Sequence, residues 1–326
     1  MKRRTFTFGL AAAAGLPLVR AGSAQAQAAN FPAQAVRIIV PFPAGGSADI
    51  LPRIVAEALG PIWKQAIVIE NKPGAAGNIG AGEVAVAKPD GYTLLSAPPP
   101  PIAINQSLYP KLSYDATKFK PITILGSAPN VVAVSNKFPV NSVKELIAYA
   151  KANPGKINVA NQGNGSTSHL TAVMFETQAG VKFNQVPYRG TAPALNDLVA
   201  GHVDLFFDNI ASSLPQQQGG AIKILAVCSK ERAEQLPNVP TVSEAGLPGF
   251  LAIAWFAVVA PEGTPDDIVA KISKDIATAM AMPEVRKKFL DQAAQPIANS
   301  PQEAARFIAS EVELWGKVIR DANVKL

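Results

Sequence analysis

Two glycine-rich stretches are the residues of this sequence best suited to handling a charged ligand. Gly45-Gly46-Ser47 follows Pro41-Phe42-Pro43, and Asn164-Gly165-Ser166-Thr167-Ser168-His169 closes a run that opens at Asn161. Each lies between a short apolar run and a segment of helical periodicity. A glycine turn feeding a helix N-terminus leaves backbone N–H groups unpaired at the positive end of the helix dipole, so the main chain itself becomes an anion site. Ser47, Ser166, Thr167 and Ser168 add hydroxyl donors, Asn164 an amide, and Phe42 an apolar wall. By itself a Gly-Gly turn is more often an ordinary strand-to-helix connection.

Other reactive residues carry weaker arguments. Ser166, Ser168 and His169 are adjacent, but a nucleophile and base also need an orienting acid and an oxyanion hole, and neither is visible. A structural or hydrogen-bonding His169 is the better reading. Asp204 and Asp208 lie four apart on one strand face. They read as strand-end residues near a hinge, with Asp208 able to accept a hydrogen bond from a ligand amine or hydroxyl. Tyr188 either lines a cleft or packs, and Arg189 is a candidate carboxylate anchor. His202, in a Gly-His-Val-Asp turn, reads as a surface residue. Two histidines and one cysteine make no zinc-type cluster, and no cofactor is expected. Cys228 reads as a small buried hydrophobe.

The elements that must position these residues follow from pattern. Val36, Ile38, Ile39 and Val40 form a strand, and Ile50, Leu51, Ile54, Val55, Ala58 and Leu59 recur at helical spacing up to Gly60-Pro61. Ser47 or Asp49 can cap that helix; Pro52 favours Asp49 or a bent start. Strands at Ile67–Glu70 and Tyr92–Ser96 flank a helix from about Ile79 to Lys88, a βαβαβ opening typical of a parallel sheet. Pro98–Pro101 reads as a stiff polyproline connector or as part of a cleft rim.

Strands are expected at Ile122–Leu125, Val131–Ser135, Ile157–Ala160, Val181–Pro187, Val203–Asp208 and Ile222–Val227. Helices are expected from a Ser142-x-x-Glu145 capping box through Ala152, over Leu170–Ala179, and over Thr191–Ala200. The tail reads as three helices, from about Pro265 to Met280, Pro283 to Ala293 and Pro301 to Ala322. Thr264-Pro265 and Ser300-Pro301-Gln302-Glu303 mark two of their starts.

Residues 1–28 read as an export signal rather than fold. Lys2, Arg3 and Arg4 precede an apolar, alanine-rich run, and Ala24-Gln25-Ala26 or Ala26-Gln27-Ala28 supplies a cleavage site. Arg3-Arg4 suits a twin-arginine signal, with a general secretory one as the alternative. The apolar run is shorter than the roughly 20 residues of a membrane span. The chain carries 30 Lys and Arg against 24 Asp and Glu; Lys2, Arg3, Arg4 and Arg20 fall in the signal region, leaving 26 against 24. That balance removes the main support for nucleic-acid binding. A remainder of about 300 residues suits two lobes of about 150 each.

In their order along the chain, VRIIVPFPAGGSAD (Val36–Asp49), ENKPGAAGNIG (Glu70–Gly80), PDGYTLL (Pro89–Leu95) and GNGSTSHL (Gly163–Leu170) resemble the Bug/TctC family of periplasmic solute-binding proteins. The likeness continues through PYRG (Pro187–Gly190), GHVD (Gly201–Asp204), LPNVPTVSE (Leu236–Glu244) and APEGTP (Ala260–Pro265). Ala97–Pro101 departs from it, since the family usually has small polar residues there. The resemblance implies an α/β fold of the periplasmic binding protein type II kind. Residues 30–129 plus 252–326, with the C-terminal helices, would form lobe one, and 130–251 lobe two.

A ligand cleft would lie between the lobes, because ligands of open α/β sheets sit beyond the carboxyl ends of strands. The implied function is capture of a small carboxylate and delivery to membrane permease subunits of a tripartite transporter, by a monomer and without catalysis. Phe42, Gly45, Gly46, Ser47 and Asp49 would contribute from lobe one. Asn164, Gly165, Ser166, Thr167, Ser168, His169, Tyr188 and Asp208 would contribute from lobe two. Two alternatives stand beside this reading: a sensor of the same fold docking on a membrane kinase, and a small serine hydrolase. Phe42 and the proline run favour a small or aromatic mono- or dicarboxylate over a tricarboxylate.

Overall fold

The computed structural model describes residues 30–325; the expected export signal lies outside them. Val36–Val40 (β1) is β-branched and almost wholly buried. It is followed by α1 (Ser47–Trp63), β2 (Ile67–Asn71), α2 (Asn78–Ala85) and β3 (Thr93–Ala97). β1 pairs in parallel with both β2 and β3, as the βαβαβ pattern predicts.

A short helix α3 (Asn105–Leu108) then leads to β4 (Lys120–Ser135), and the chain continues with α4 (Val143–Ala152), β5 (Asn158–Asn161), α5 (Thr167–Ala179), β6 (Asn184–Pro187), α6 (Thr191–Ala200), β7 (Leu205–Asn209), α7 (Ile210–Gln218) and β8 (Ile222–Val227). β9 (Ile253–Ala260), α8 (Asp266–Met280), α9 (Pro283–Asp291), β10 (Gln295–Pro296) and α10 (Pro301–Asp321) complete it.

The strands make two lobes joined through β4. In the first, β2, β1, β3, β9 and β4 lie side by side, with β10 also on β4. In the second, β4 pairs with β7 and β8, and β5 and β6 continue from β7. β4 changes partner in midcourse: Pro129 faces Ile253 of β9, and Asn130 faces Asn209 of β7. The return crossing is tied beside it, where Asn130 N–H donates to the Ala252 carbonyl at 3.1 Å and Cys228 N–H donates to the Asn130 carbonyl at 2.7 Å. α10 touches both lobes: Trp315 and Ile319 are buried together with Ile104, Leu108 and Leu170 of α5.

Several expectations change. Ile122–Leu125 and Val131–Ser135 are parts of one 16-residue strand. The proline run is helical, not polyproline: Pro99 has φ −49° and ψ −38°, and Pro100–Ile104 forms a wide helical turn. The missing proline N–H groups fall where a first turn has no intrahelical acceptor to lose.

α1 continues past Gly60-Pro61 to Trp63, whose ring packs edge-on against Phe31 at 5.9 Å and whose indole N–H donates to Asp275. α8 starts at Asp266 with Pro265 as its N-cap residue, so Thr264 does not cap it; its hydroxyl donates to the Pro261 carbonyl. The Ser300 capping box is present in full. β9 and α7 have no counterpart among the predicted elements.

Candidate functional site

A cavity of about 440 Å³ lies between the lobes. Its apolar wall includes Phe42, Ile50, Pro98, Pro100, Leu195 and Phe256. Four helix N-termini open on it: α1 through Gly46, Ser47 and Ala48, α5 through Ser166 and Thr167, α6 through Gly190, Thr191 and Ala192, and α7 through Asn209, Ala211 and Ser212. Arg189 is the one charged side chain of the lining; no Asp or Glu of the described residues borders the cavity. The site is therefore apolar in the middle, rich in backbone donors at its ends, and electropositive.

The turn before α1 is built by its sequence. Gly45 takes φ +92°, a conformation that favours glycine, and its N–H donates to Asp49 Oδ2 at 3.0 Å. That N–H is thus used within the turn rather than offered to a ligand. Asp49 is neither the helix cap nor a cavity residue; the N-cap is Gly46, and Asp49 reaches back from the first turn while buried. Burial alone would raise its carboxyl. Hydrogen bonds from Arg53, Asn71 and Gly45 outweigh that and hold it below its ordinary value. The N–H groups of Gly46, Ser47 and Ala48 have no acceptor among the described residues. Phe42, Gly45, Gly46 and Ser47 all border the cavity.

In the second lobe the predicted residues divide. Ser166 and Thr167 border the cavity, whereas Asn164, Gly165, Ser168, His169, Tyr188 and Asp208 do not. Asn164 is exposed on the outside of the turn. Gly165, at φ +82°, packs so closely on the first lobe that a Cβ there would lie 2.5 Å from Leu108 Cδ2. Ser168 is buried one residue past the helix start, and its hydroxyl has no partner among the described residues.

His169 closes the turn: its Nδ1 accepts the Gly165 N–H at 3.2 Å, and its own N–H donates to Ser166 Oγ. Nδ1 therefore carries no proton, and burial keeps the ring's pKa below its ordinary value. Ser166 Oγ serves as a helix cap. No carboxylate of the described residues hydrogen-bonds the imidazole, so the serine–histidine pair lacks the geometry of an activated nucleophile.

Tyr188 turns from the cavity to donate to Asp197 Oδ2 at 2.6 Å; burial and that carboxylate push its hydroxyl up to about 12. Its neighbour Arg189 does border the cavity. His202 lies exposed beside Asp197. Asp204 lies just before β7, outside the strand it was expected to share with Asp208, and accepts the Asn158 N–H at 2.8 Å. Asp208 is fully buried behind the cavity wall, accepting from Gln162 Nε2 at 3.0 Å and Ser213 Oγ at 2.8 Å. Burial pushes its carboxyl up to about 7 against the hydrogen bonds from Ser213, Asn209 and Gln162. A buried strand end surrounded by protein donors cannot also reach a ligand.

Gln162, Gly190, Thr191 and Asn209 are cavity residues that sequence reading missed. Gly190 ahead of a predicted helix and Asn209 directly after a strand are both helix-start signals that could have found them. Gln162 has no such local signal. Among the described residues, no cluster of three or more His, Cys, Asp or Glu could hold a metal ion, and no helix is long and apolar enough to cross a membrane.

With this geometry the similarities to known proteins are informative. The family model for the tripartite tricarboxylate transporter family receptor matches residues 51–324. Protein BugT of Bordetella pertussis (strain Tohama I) is 36% identical over 320 residues, covering 97% of this chain and 98% of that protein. The structure of R. palustris Rpa4515 with adipate superposes with a TM-score of 0.86 at 37% identity, covering 90% of this chain and 99% of that one. MatC from Rhodopseudomonas palustris with bound malate gives 0.83 at 34% identity, covering 89% and 100%. The chain belongs to the TctC family of tripartite tricarboxylate transporter receptors.

Proposed function

We propose that this protein is an extracytoplasmic receptor that captures a small carboxylate between its lobes and passes it to membrane permease subunits of a tripartite tricarboxylate-type transporter. The observation that carries this reading is the convergence of four helix N-termini on one cavity with an apolar wall, one arginine and no bordering carboxylate. A carboxylate at Gly46, Ser47 and Ala48 gains main-chain donors without a cationic side chain. A second carboxylate meets the starts of α5 and α6 and Arg189. Phe42, Pro98, Pro100 and Phe256 pack on the carbons between.

Adipate and malate, bound by the two structural relatives, have this pattern of two carboxylates and a short carbon chain. We take 30–129 with 252–326 as one lobe and 130–251 as the other, supported by the partner change of β4 between Pro129 and Asn130. A ligand that touches both lobes favours the closed form, because only that form makes both sets of contacts. Binding proceeds without chemistry, as a monomer, and export through a signal in residues 1–28 places the receptor in the periplasm.

The test is a thermal-shift screen of the signal-free protein against mono-, di- and tricarboxylates and amino acids. A ligand at 100 times its dissociation constant adds about 2.7 kcal/mol of apparent stability. Selective stabilisation by short dicarboxylates is expected. A folded protein that no carboxylate stabilises would overturn the reading.

A further inference from the structure

The Gln162 side chain has its amide orientation fixed from behind. Its Nε2 donates to Asp208 Oδ1 at 3.0 Å and to Thr191 Oγ1 at 2.9 Å, which uses both amide protons. Asp208 is itself fully buried, and its other oxygen accepts from Ser213. Turning the amide over would set the Gln162 carbonyl oxygen against the Asp208 carboxylate, so above about pH 7, where that carboxyl is ionised, the orientation has one sense. The remaining atom, Oε1, accepts no hydrogen bond from the described residues, is not among the buried unpartnered atoms, and belongs to a residue that borders the cavity. The Thr191 hydroxyl beside it accepts from Gln162 and has no acceptor for its own proton among the described residues.

We propose that Gln162 is a specificity-determining residue: with Thr191 it forms an acceptor–donor pair that reads a hydroxyl on the carbon skeleton of the bound carboxylate. Elsewhere the cavity offers the ligand mainly donors: the helix N-termini, Ser166, Thr167 and Arg189, with the Ser47 hydroxyl turned to Asn209. An acceptor among them is satisfied only by a ligand group that carries a proton. A hydroxyl both donates to Gln162 Oε1 and accepts from Thr191 Oγ1, so it matches the pair. An ammonium group can donate to Gln162 Oε1 and to the second lone pair of Thr191 Oγ1, but it brings a positive charge beside Arg189 and the helix N-termini and finds no carboxylate in the lining among the described residues. The inferred ligand class is a hydroxy-carboxylate, favoured over its deoxy and amino analogues. This rests on the proposal that the cleft binds carboxylates.

The test is calorimetric titration of the signal-free protein at pH 8 with matched sets: malate (each enantiomer), succinate and aspartate, then 2-hydroxyglutarate, glutarate and glutamate. In at least one set the hydroxy acid should bind about tenfold more tightly than the deoxy acid, and the amino acid no more tightly than the deoxy acid. Gln162→Met, of similar length and without an acceptor at that position, should bring the ratio of hydroxy-acid to deoxy-acid affinity close to one. Thr191→Val should lower the ratio as well, and thermal melting establishes that each variant is folded. Equal binding of hydroxy and deoxy acids by the wild type overturns the inference and leaves carboxylate binding intact, as does a ratio that persists in both variants. Absence of binding by every acid overturns both.

Discussion

The hydroxyl of Ser47 donates to Asn209 Oδ1 across the cleft at 3.4 Å, joining two residues 162 positions apart. The same oxygen accepts the Ala211 N–H at 3.3 Å and so caps α7. One atom therefore ends a helix of the second lobe and touches the first turn of α1. Replacing Asn209 with Ala should cost about 1 kcal/mol through the lost cap, read as a lower urea midpoint with an unchanged slope. Ser47→Ala, which removes only the longer contact, should shift stability by less than about 0.5 kcal/mol. Equal stability of Asn209→Ala and wild type would contradict the capping role.

Asp49 holds the anion turn from below, taking hydrogen bonds from Gly45, Arg53 and Asn71. Asp49→Asn should destabilise the protein by about 2 kcal/mol at neutral pH, since hydrogen bonds to a charged group are lost. The folded carboxyl titrates below its ordinary value. Its contribution is therefore complete above a pH of about 4 and disappears as pH falls through the lower folded value. Denaturant melts of both proteins from pH 7 downward should show the gap closing in acid. A gap that stays constant would place the stabilisation in shape rather than charge.

Asp208 should behave in the opposite sense. Its folded carboxyl is pushed up to about 7 by burial, while the unfolded chain ionises near 4. The folded state keeps a proton that the unfolded state has released, so wild-type stability relative to Asp208→Asn should be greatest at about pH 4 and decline as pH rises toward about 7, then level off. Melts of the two proteins across that range check it. A difference that grows with pH would mean Asp208 is stabilised as the anion.

How much of this was legible beforehand depends on how local each signal is. The turn at Gly45-Gly46 needs only a few neighbouring residues and lies where pattern puts it, whereas α5, expected from Leu170, starts three residues earlier at Thr167 with Ser166 as its cap. The polyproline reading of Pro98–Pro101 fails because a first helical turn and a polyproline segment share φ and differ only in ψ, while the cleft-rim alternative fits, with Pro98 and Pro100 bordering the cavity. β9 was overlooked although Ala254–Ala260 is an uninterrupted apolar run, now buried between β3 and β4. Asp208 was assigned to the ligand because a carboxylate at a strand end resembles a binding group. Only the tertiary structure shows Gln162 interposed between it and the cavity wall. For His169 the sequence supports both a structural role and a place in the cleft; its bond to Gly165 fits the first, and it takes no place in the lining.

Arg189 is exposed at the cavity edge, where it is the one cation of the lining. Arg189→Gln should weaken a dicarboxylate by about tenfold, or 1.4 kcal/mol, and a monocarboxylate of the same length by less. Raising salt should shrink the difference, because an exposed charge is screened. Calorimetry at two ionic strengths checks both statements. Equal losses for the mono- and dicarboxylate would remove Arg189 from recognition of the second carboxylate.

Gly46 tests most directly whether the start of α1 receives an anion. Its φ of −93° and ψ of 171° are open to any residue, and a Cβ built there meets nothing within 4 Å. Gly46→Val should therefore fold as the wild type does while its side chain occupies the space in front of the N–H groups of Ser47 and Ala48. Titration of both proteins with the carboxylate that most stabilises the wild type is the decisive measurement. A variant that stays folded, its stability without ligand lowered by no more than the about 1 kcal/mol an apolar N-cap costs, with affinity reduced at least about a hundredfold, is the predicted result. A variant that binds as tightly as the wild type would contradict the claim that this helix start holds the ligand.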